Sequence, residues 1–548
     1  MTAITITLVL LASVVASSIV ARLMARRLPL PLPFVQIALG GLLASLFDVH
    51  IGFEPEVFLL LFIAPLLYLD GWRIPSEGLL GDKWTICALA FGLVLFTVAG
   101  AGYFIHWIIP AVPLTVAFAL AAVLSPTDAV ALSAIAARTP IPRRLLHILE
   151  GEALLNDASG LVCMRFAVVA TLTGTFSFVD ASATFLWLAC AGAAAGVAVA
   201  VLANAGKDWI SRRYGEEPGS QILISLLIPF TAYLLATQIS ASGILAAVAA
   251  GIAMNYEERT GNALPVTRIR RAAVWDAIQF AANGAIFVLL GYQLPAIVEG
   301  AEHVVREAGH QGGLWLPVYV LAINTVLLLL RAIWVWITLR LFLFGPARAE
   351  RKARKPGWRL TMITALAGVR GALTLSGIMT LPLALADGTP FPARDLAIFL
   401  AAGVIIASLI VANLGLPALL RGLELPPDIS RHREEDAARV AAAQAAIDAI
   451  ERSLRAPPAT QMEADLQMQA GARLIEQYRR RIDARSPNEA DPDFARRSDE
   501  IERRLRLIGL AAERNEYYRF ARNGKLHGDL TNLLVREIDL LESRFTRN

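Results

Sequence analysis

The first 420 residues carry thirteen apolar runs of about helix-spanning length, at roughly 4–24, 32–47, 55–70, 84–108, 113–136, 146–171, 181–205, 219–238, 242–256, 273–296, 314–343, 359–381 and 395–420. An apolar run of about 20 residues with few charges reads as a helix crossing a bilayer. The chain as a whole is 56% apolar with mean hydropathy +0.56, above the composition of ordinary soluble domains. In the first run Arg22, Arg26 and Arg27 follow the apolar stretch and none precedes it. That is the reverse of a secretory leader, so the run reads as an uncleaved helix with its N-terminus outside.

Loop charge tests this count independently. Loops after runs 1, 3, 5, 7, 9 and 11 hold 21 Lys and Arg residues, whereas the other six hold only Arg306 and Arg394. Basic residues concentrate on the cytoplasmic side of membrane proteins, and merging or splitting any one run would scramble the alternation. The expected topology is thirteen crossings of a plasma (bacterial inner) membrane, with the N-terminus outside and the C-terminus inside.

After Leu420 the pattern changes. Of the last 128 residues 46 are charged, split evenly by sign, against 50 in the preceding 420. The division expected is a transmembrane domain over 1–420 and a soluble, cytoplasmic, all-α tail over 421–548. Val440, Ala443, Ile447, Ile450 and Leu454 repeat at helical spacing, Pro457-Pro458 ends that helix, and three more follow: one from Gln461 to Ala484, one from Phe494 past Tyr518, and one carrying Leu530 to Leu541. Regulation or dimer contact is the role expected of the tail. The net charge of +4 is too small and dispersed to imply nucleic acid. Cys87, Cys163 and Cys190 all lie in apolar runs, with no disulfide or metal-ligand spacing, and no cofactor is implied.

Ionisable residues inside the runs point to function, because a charge at membrane depth is costly. Asp157 lies in the sixth run, after Glu150, Glu152 and Asn156. Glu152, Asn156, Ser159 and Cys163 share a helical face, Asp157 flanks it, and Gly160 permits close approach of another helix. The fifth run contains Ser125-Pro126-Thr127-Asp128. Proline lacks the amide proton and clashes with the preceding turn, so carbonyls are freed there. With Thr127 and Asp128 they offer hard oxygen ligands to a monovalent cation, although Asp128 as a cap on the second half-helix is an equally local reading. The twelfth run holds Gly368, Gly371 and Gly377 with Arg370, Thr374 and Ser376, a second interruption. Arg165, Arg331 and Arg370 are expected to lie deep and to need partners, whereas Arg340 can reach an interface.

The two broken runs are seven apart. With run 7 as a linker, runs 1–6 and 8–13 form two six-helix repeats of opposite orientation, each interrupted at its fifth helix. That is the pattern of an inverted-repeat secondary transporter with its site where the breaks cross.

Leu149-Glu-Gly-Glu-Ala-Leu-Leu-Asn-Asp-Ala158, Ser125-Pro-Thr-Asp-Ala-Val-Ala131, Ala64-Pro-Leu-Leu-Tyr-Leu-Asp70 and Gly368-Val-Arg-Gly-Ala372 together resemble the monovalent cation:proton antiporters of the bacterial sodium/proton exchanger branch, over about residues 1–420. The tail resembles that branch less specifically, at Ala511–Arg519 and Leu534–Glu542. The resemblance implies that Asp157 is the carrier carboxylate, binding Na+ or a proton in turn. It implies that Asn156 and Asp128 form a supporting hydrogen-bond pair, that Thr127 and Asp70 assist at the ion, and that Arg370 is the twelfth-helix arginine. Arg331 would pair with Glu152, and Arg165 would neutralise an interior carboxylate. A rigid core of helices 4–6 and 11–13 would slide against a scaffold that makes a homodimer. One departure is Ala153, where the family often has an ion-ligating serine; a water or Ser159 would substitute.

The expected function is therefore exchange of Na+, with K+ or Li+ as alternatives, for H+ in the service of pH and cation homeostasis. Asn156, where an electrogenic relative would carry a second Asp, implies one titrating carrier and electroneutral 1:1 exchange. A cation channel would use similar buried polar groups. A polytopic membrane enzyme would need a catalytic cluster near a membrane face, and no HExxH, GxSxG or P-loop is present.

Overall fold

The computed structural model describes residues 3–24, 31–46, 55–73, 82–128, 143–173, 178–258, 264–307, 315–343, 358–385 and 388–421, and in the C-terminal part 429–455, 461–483, 492–523, 526, 528–543 and 545. The chain divides into two compact units, Met1–Leu423 and Glu424–Asn548. Among the described residues both are helical, and no strand is present beyond one isolated bridge between Ala384 and Pro390.

In the first unit the helices follow the apolar runs. They are α1 (Ala3–Met24), α2 (Leu32–Leu46), α3 (55–73), α4 (Lys83–Ile108), α5 (Leu114–Leu124), α6 (Arg143–Thr173), α7 (Phe178–Tyr214), α8 (Pro218–Gln238), α9 (Gly243–Glu258), α10 (Pro265–Glu307), α11 (Trp315–Thr338), α12 (Trp358–Leu366), α13 (Ala372–Met379) and α14 (Arg394–Leu420). Eight of these rods are long and apolar enough to cross a membrane, and α2 and α5 are shorter apolar helices. Among the described residues three rods carry a π-helical turn: Leu59–Ile63 in α3, Ala88–Gly92 in α4, and Leu339–Leu343 continuing α11. The twelfth apolar run is two helices, α12 and α13, separated by Ala367–Gly371. The second half of the fifth run, with Arg138, lies outside the described residues.

Small residues decide which helices meet. Lipid offers no hydrophobic drive for two apolar helices to associate, so contact depends on backbones coming close enough for dispersion to count. At the α2–α10 contact a Cβ on Gly40 would lie 2.8 Å from the Tyr292 amide nitrogen; at the α3–α9 contact one on Gly71 would lie 2.6 Å from the Val248 carbonyl. Both are inside van der Waals limits, so any side chain there would push the rods apart. Elsewhere α4 packs on α5, α5 on α6, α11 on α12, and α14 on α12 and α13.

The second unit has α15 (Ile429–Leu454), α16 (Gln461–Asp483), α17 (Pro492–Arg522) and α18 (Gly528–Ser543). α15 packs on α16, and α17 on α18. Ala443, Ile447, Val535 and Ile538 are its buried apolar anchors, and Arg514 of α17 bridges Asp539 and Glu542 of α18.

Candidate functional site

The two interruptions meet. α5 stops at Leu124, and Ser125–Asp128 run on without helical bonding. The Asp128 amide donates to the Val369 carbonyl at 2.7 Å, so backbone released by one break is satisfied by backbone released in the other. This is how non-helical chain is tolerated in an apolar bundle. Arg370, 2% exposed, finishes the junction. Its Nε donates to the Leu124 carbonyl at 3.0 Å, its Nη1 to the Gly368 carbonyl at 2.6 Å, and its amide to Ser408 Oγ at 3.2 Å. A guanidinium against the last carbonyl of α5 is also favoured by the partial negative charge of a helix C-terminus.

The glycines of Gly368-Val-Arg-Gly371 make room for two functional side chains. A Cβ on Gly368 would overlap the Arg331 guanidinium, and one on Gly371 would overlap the Asp128 carboxylate. Neither neighbour can yield without breaking the crossing. Gly371→Val is therefore expected to abolish transport while the protein still inserts, and Gly371→Ala to impair it, at an overpacking cost of about 1–3 kcal/mol. Transport per inserted molecule is the measurement; wild-type rates in Gly371→Val would refute the close approach.

α6 supplies the buried acids. Glu152 is 0% exposed and bonds Arg331 of α11 through both oxygens, at 2.5 and 2.8 Å, while Arg331 Nε donates to the Thr364 carbonyl at 3.3 Å. This is the forked geometry that makes arginine the residue for burial with a carboxylate. Asn156 Nδ2 donates to Thr127 Oγ1 at 3.0 Å and to Glu152 Oε1 at 3.4 Å, and Thr127 Oγ1 donates to Glu152 Oε1 at 3.5 Å. The amide thus ties Thr127 of the broken helix to the ion pair. Asn156 Oδ1 is buried with no hydrogen-bond donor among the described residues.

Asp157, 7% exposed, has neither ion pair nor hydrogen bond among the described residues. Asp128, Asp70 and Glu152 all act on it electrostatically, with the same sign of charge. Among the described residues no three acidic, His or Cys side chains converge closely enough to hold a metal ion by themselves. A bound cation would need further oxygens, and Thr127 Oγ1 and Asn156 Oδ1 are the neutral ones at hand. Pro126 lies against α6 at Gly160, where a Cβ would come within 2.5 Å of its ring.

One expectation is corrected. Arg165 is exposed on α6 and does not lie deep beside an interior acid. At about 100° per residue it is about 140° around the helix from Glu152. Ser159, the replacement expected for the hydroxyl missing at Ala153, donates its proton to the Ala90 carbonyl at 2.7 Å, which leaves its oxygen lone pairs for a cation. That carbonyl belongs to the π-turn of α4, and Trp334 Nε1 satisfies Ala88 of the same turn at 2.9 Å. Sequence reasoning missed Trp334. The only signal was its position one turn beyond Arg331, on the same side of α11.

Together these features define a multi-pass membrane protein whose charged site lies between two broken helices. The chain belongs to the sodium/hydrogen exchanger family: the profile "Sodium/hydrogen exchanger, transmembrane" matches residues 14–422. It is 41% identical to the "Uncharacterized Na(+)/H(+) exchanger YjcE" of Escherichia coli, over 96% of each chain. It is 42% identical to the "Sodium, potassium, lithium and rubidium/H(+) antiporter" of Bacillus pumilus, over 75% of this chain and 60% of that one. Among solved structures, the sodium proton antiporter MjNhaP1 of Methanocaldococcus jannaschii shares the fold, with TM-score 0.58 at 18% identity, over 77% of this chain and 99% of that one.

Proposed function

We propose that this chain exchanges Na+ for H+ across the membrane, electroneutrally and 1:1, with K+ and Li+ as alternative cations, and so serves cytoplasmic pH and cation homeostasis. The observation that carries the mechanism is the contrast between two carboxylates five residues apart on α6. Glu152 is neutralised by Arg331, whereas Asp157 is buried with no cationic partner among the described residues. Repulsion from Asp128 and Asp70 is relieved by a cation or by a proton at Asp157, and the site holds only one of them at a time. Competition for one group, exposed alternately to each side, is sufficient for coupled exchange. Asp157 is then the carrier, Thr127, Asp128, Asn156 and Asp70 assist it, and Glu152–Arg331 with Arg370 holds the frame. The Bacillus pumilus relative's name supports a broad choice among alkali cations.

Thirteen crossings in two inverted six-helix repeats fit the packing. A shift of seven helices maps the α2–α10 contact onto α9–α3, and α4–α5 onto α11–α12. The glycine-lined contacts are the first such pair. An odd number of crossings puts the termini on opposite sides, and the Lys and Arg bias of alternate loops puts the N-terminus outside and the tail in the cytoplasm of a cell whose plasma membrane holds the protein as a homodimer. The tail, with its own helices, regulates the exchanger.

Proteoliposomes carrying a pH dye test this reading. A Na+ gradient should drive opposite proton movement whose rate does not change when a membrane voltage is imposed. A chain ending at Leu420 should still exchange, with an altered pH response. Unitary currents would identify a channel instead, and voltage-dependent exchange would overturn the 1:1 stoichiometry.

A further inference from the structure

We propose that a clamp of Trp72, Glu258 and Arg271 positions Asp70 at the ion site, an inference that rests on Asp70 belonging to that site. Asp70 is coupled electrostatically to Asp128 and Asp157, and α3, which carries it, packs on α6. Tyr68 and Trp72 lie one turn apart on α3, and each is about 160° around the helix from Asp70. That opposite face is held to α9 and α10 along its whole last turn.

Trp72 Nε1 donates to Glu258 Oε2 at 2.7 Å. The Trp72 carbonyl, one of the last of α3 and without an intrahelical partner, accepts from Asn255 Nδ2 at 2.5 Å. Arg271, 1% exposed, pairs with Glu258 and lies 5.3 Å from the Trp72 ring centroid, within cation–π range. Trp275 packs on Tyr68 with centroids 5.2 Å apart and on Trp72 at 6.5 Å, and its own indole donates to Ser225 of α8 at 3.3 Å. Arg73 bonds Gln279 at 2.7 Å and also pairs with Asp276. The backbone contact at Gly71 leaves no slack between α3 and α9.

The consequence is mechanical. Asp70 belongs to a rod that α9 and α10 grip from behind, so its carboxylate cannot retreat from Asp128 and Asp157 when they are charged. A fixed third acid raises the demand for a cation or proton at the site. A loose one would not. Glu258 and Arg271 touch neither ion nor proton in this scheme; they are positioning residues, acting through α3.

The experiment is a double-mutant cycle on the full chain in proteoliposomes, read as apparent KM for Na+, with Vmax normalised to inserted protein. Trp72→Phe keeps an aromatic ring beside Arg271 and removes the N–H donated to Glu258 along with part of the indole. It should raise KM about three- to tenfold, the scale of a lost hydrogen bond to a charged group. Asp70→Asn should raise KM at least as much. The combined variant should match Asp70→Asn alone, since coupled positions are not additive. If the two effects multiply in full, or Trp72→Phe lowers only Vmax or the amount inserted, the positioning role is wrong. Asp157→Asn is the reference: if it transports normally, the carrier reading itself fails. If it is inactive while Asp70→Asn leaves KM unchanged, only the clamp inference falls.

Discussion

Asp157→Asn should reduce cation-driven proton movement in proteoliposomes to the level of protein-free vesicles. The substitution is nearly isosteric and removes both the negative charge that attracts a cation and the group that carries a proton. The neighbouring frame does not depend on it: Glu152 keeps both bonds to Arg331, and Asn156 keeps its bond to Thr127. The variant should therefore insert normally, with a thermal midpoint equal to or above the wild type, because an uncompensated buried charge has gone. Loss of activity together with loss of folding would not support a carrier role. Normal transport would place the carrier elsewhere.

Arg331→Ala should be the most destabilising single change in the transmembrane unit. It strands Glu152, at 0% exposure, without a counter-charge, and breaking one side of a buried ion pair costs about 3–5 kcal/mol. Replacing both partners, as in Glu152→Leu with Arg331→Met, should recover most of that loss, because no buried charge is left. Arg331→Lys should not rescue function, since an ammonium cannot bond both Glu152 oxygens in a fork and the Thr364 carbonyl as well. Thermal unfolding of the detergent-extracted protein reads all three. If Arg331→Ala is as stable as wild type, the ion pair does not hold the frame.

The two predictions concern acids five residues apart on one helix, and the sequence treats them alike. Both Glu152 and Asp157 read as costly intramembrane carboxylates, and only family resemblance separated them. The coordinates separate them by partner: a guanidinium from α11, 179 residues away along the chain, reaches one and not the other. The same limit explains Arg165. A hydrophobic run with an arginine in it does not say whether that arginine faces the bundle or its outside, and here it faces out. The hydroxyl of Ser159 was legible as a candidate ligand, and the hydrogen bond that orients it, to Ala90, depends on a π-turn in α4 that no local pattern announced.

By itself the sequence determined the apolar runs, the alternation of loop charge, the two breaks and the charged helical tail. Each of these follows from short-range chemistry: the length of an apolar stretch, the missing amide of Pro126, the absent side chains of Gly368 and Gly371. Only the tertiary structure decided that the breaks touch through Asp128 and Val369, that among the described residues a guanidinium neutralises Glu152 and none reaches Asp157, and that the far side of α3 is gripped by α9 and α10. Those are contacts between residues more than a hundred positions apart. They depend on which small residues let two helices approach and on how each rod is rotated about its axis, and neither is encoded in any one segment.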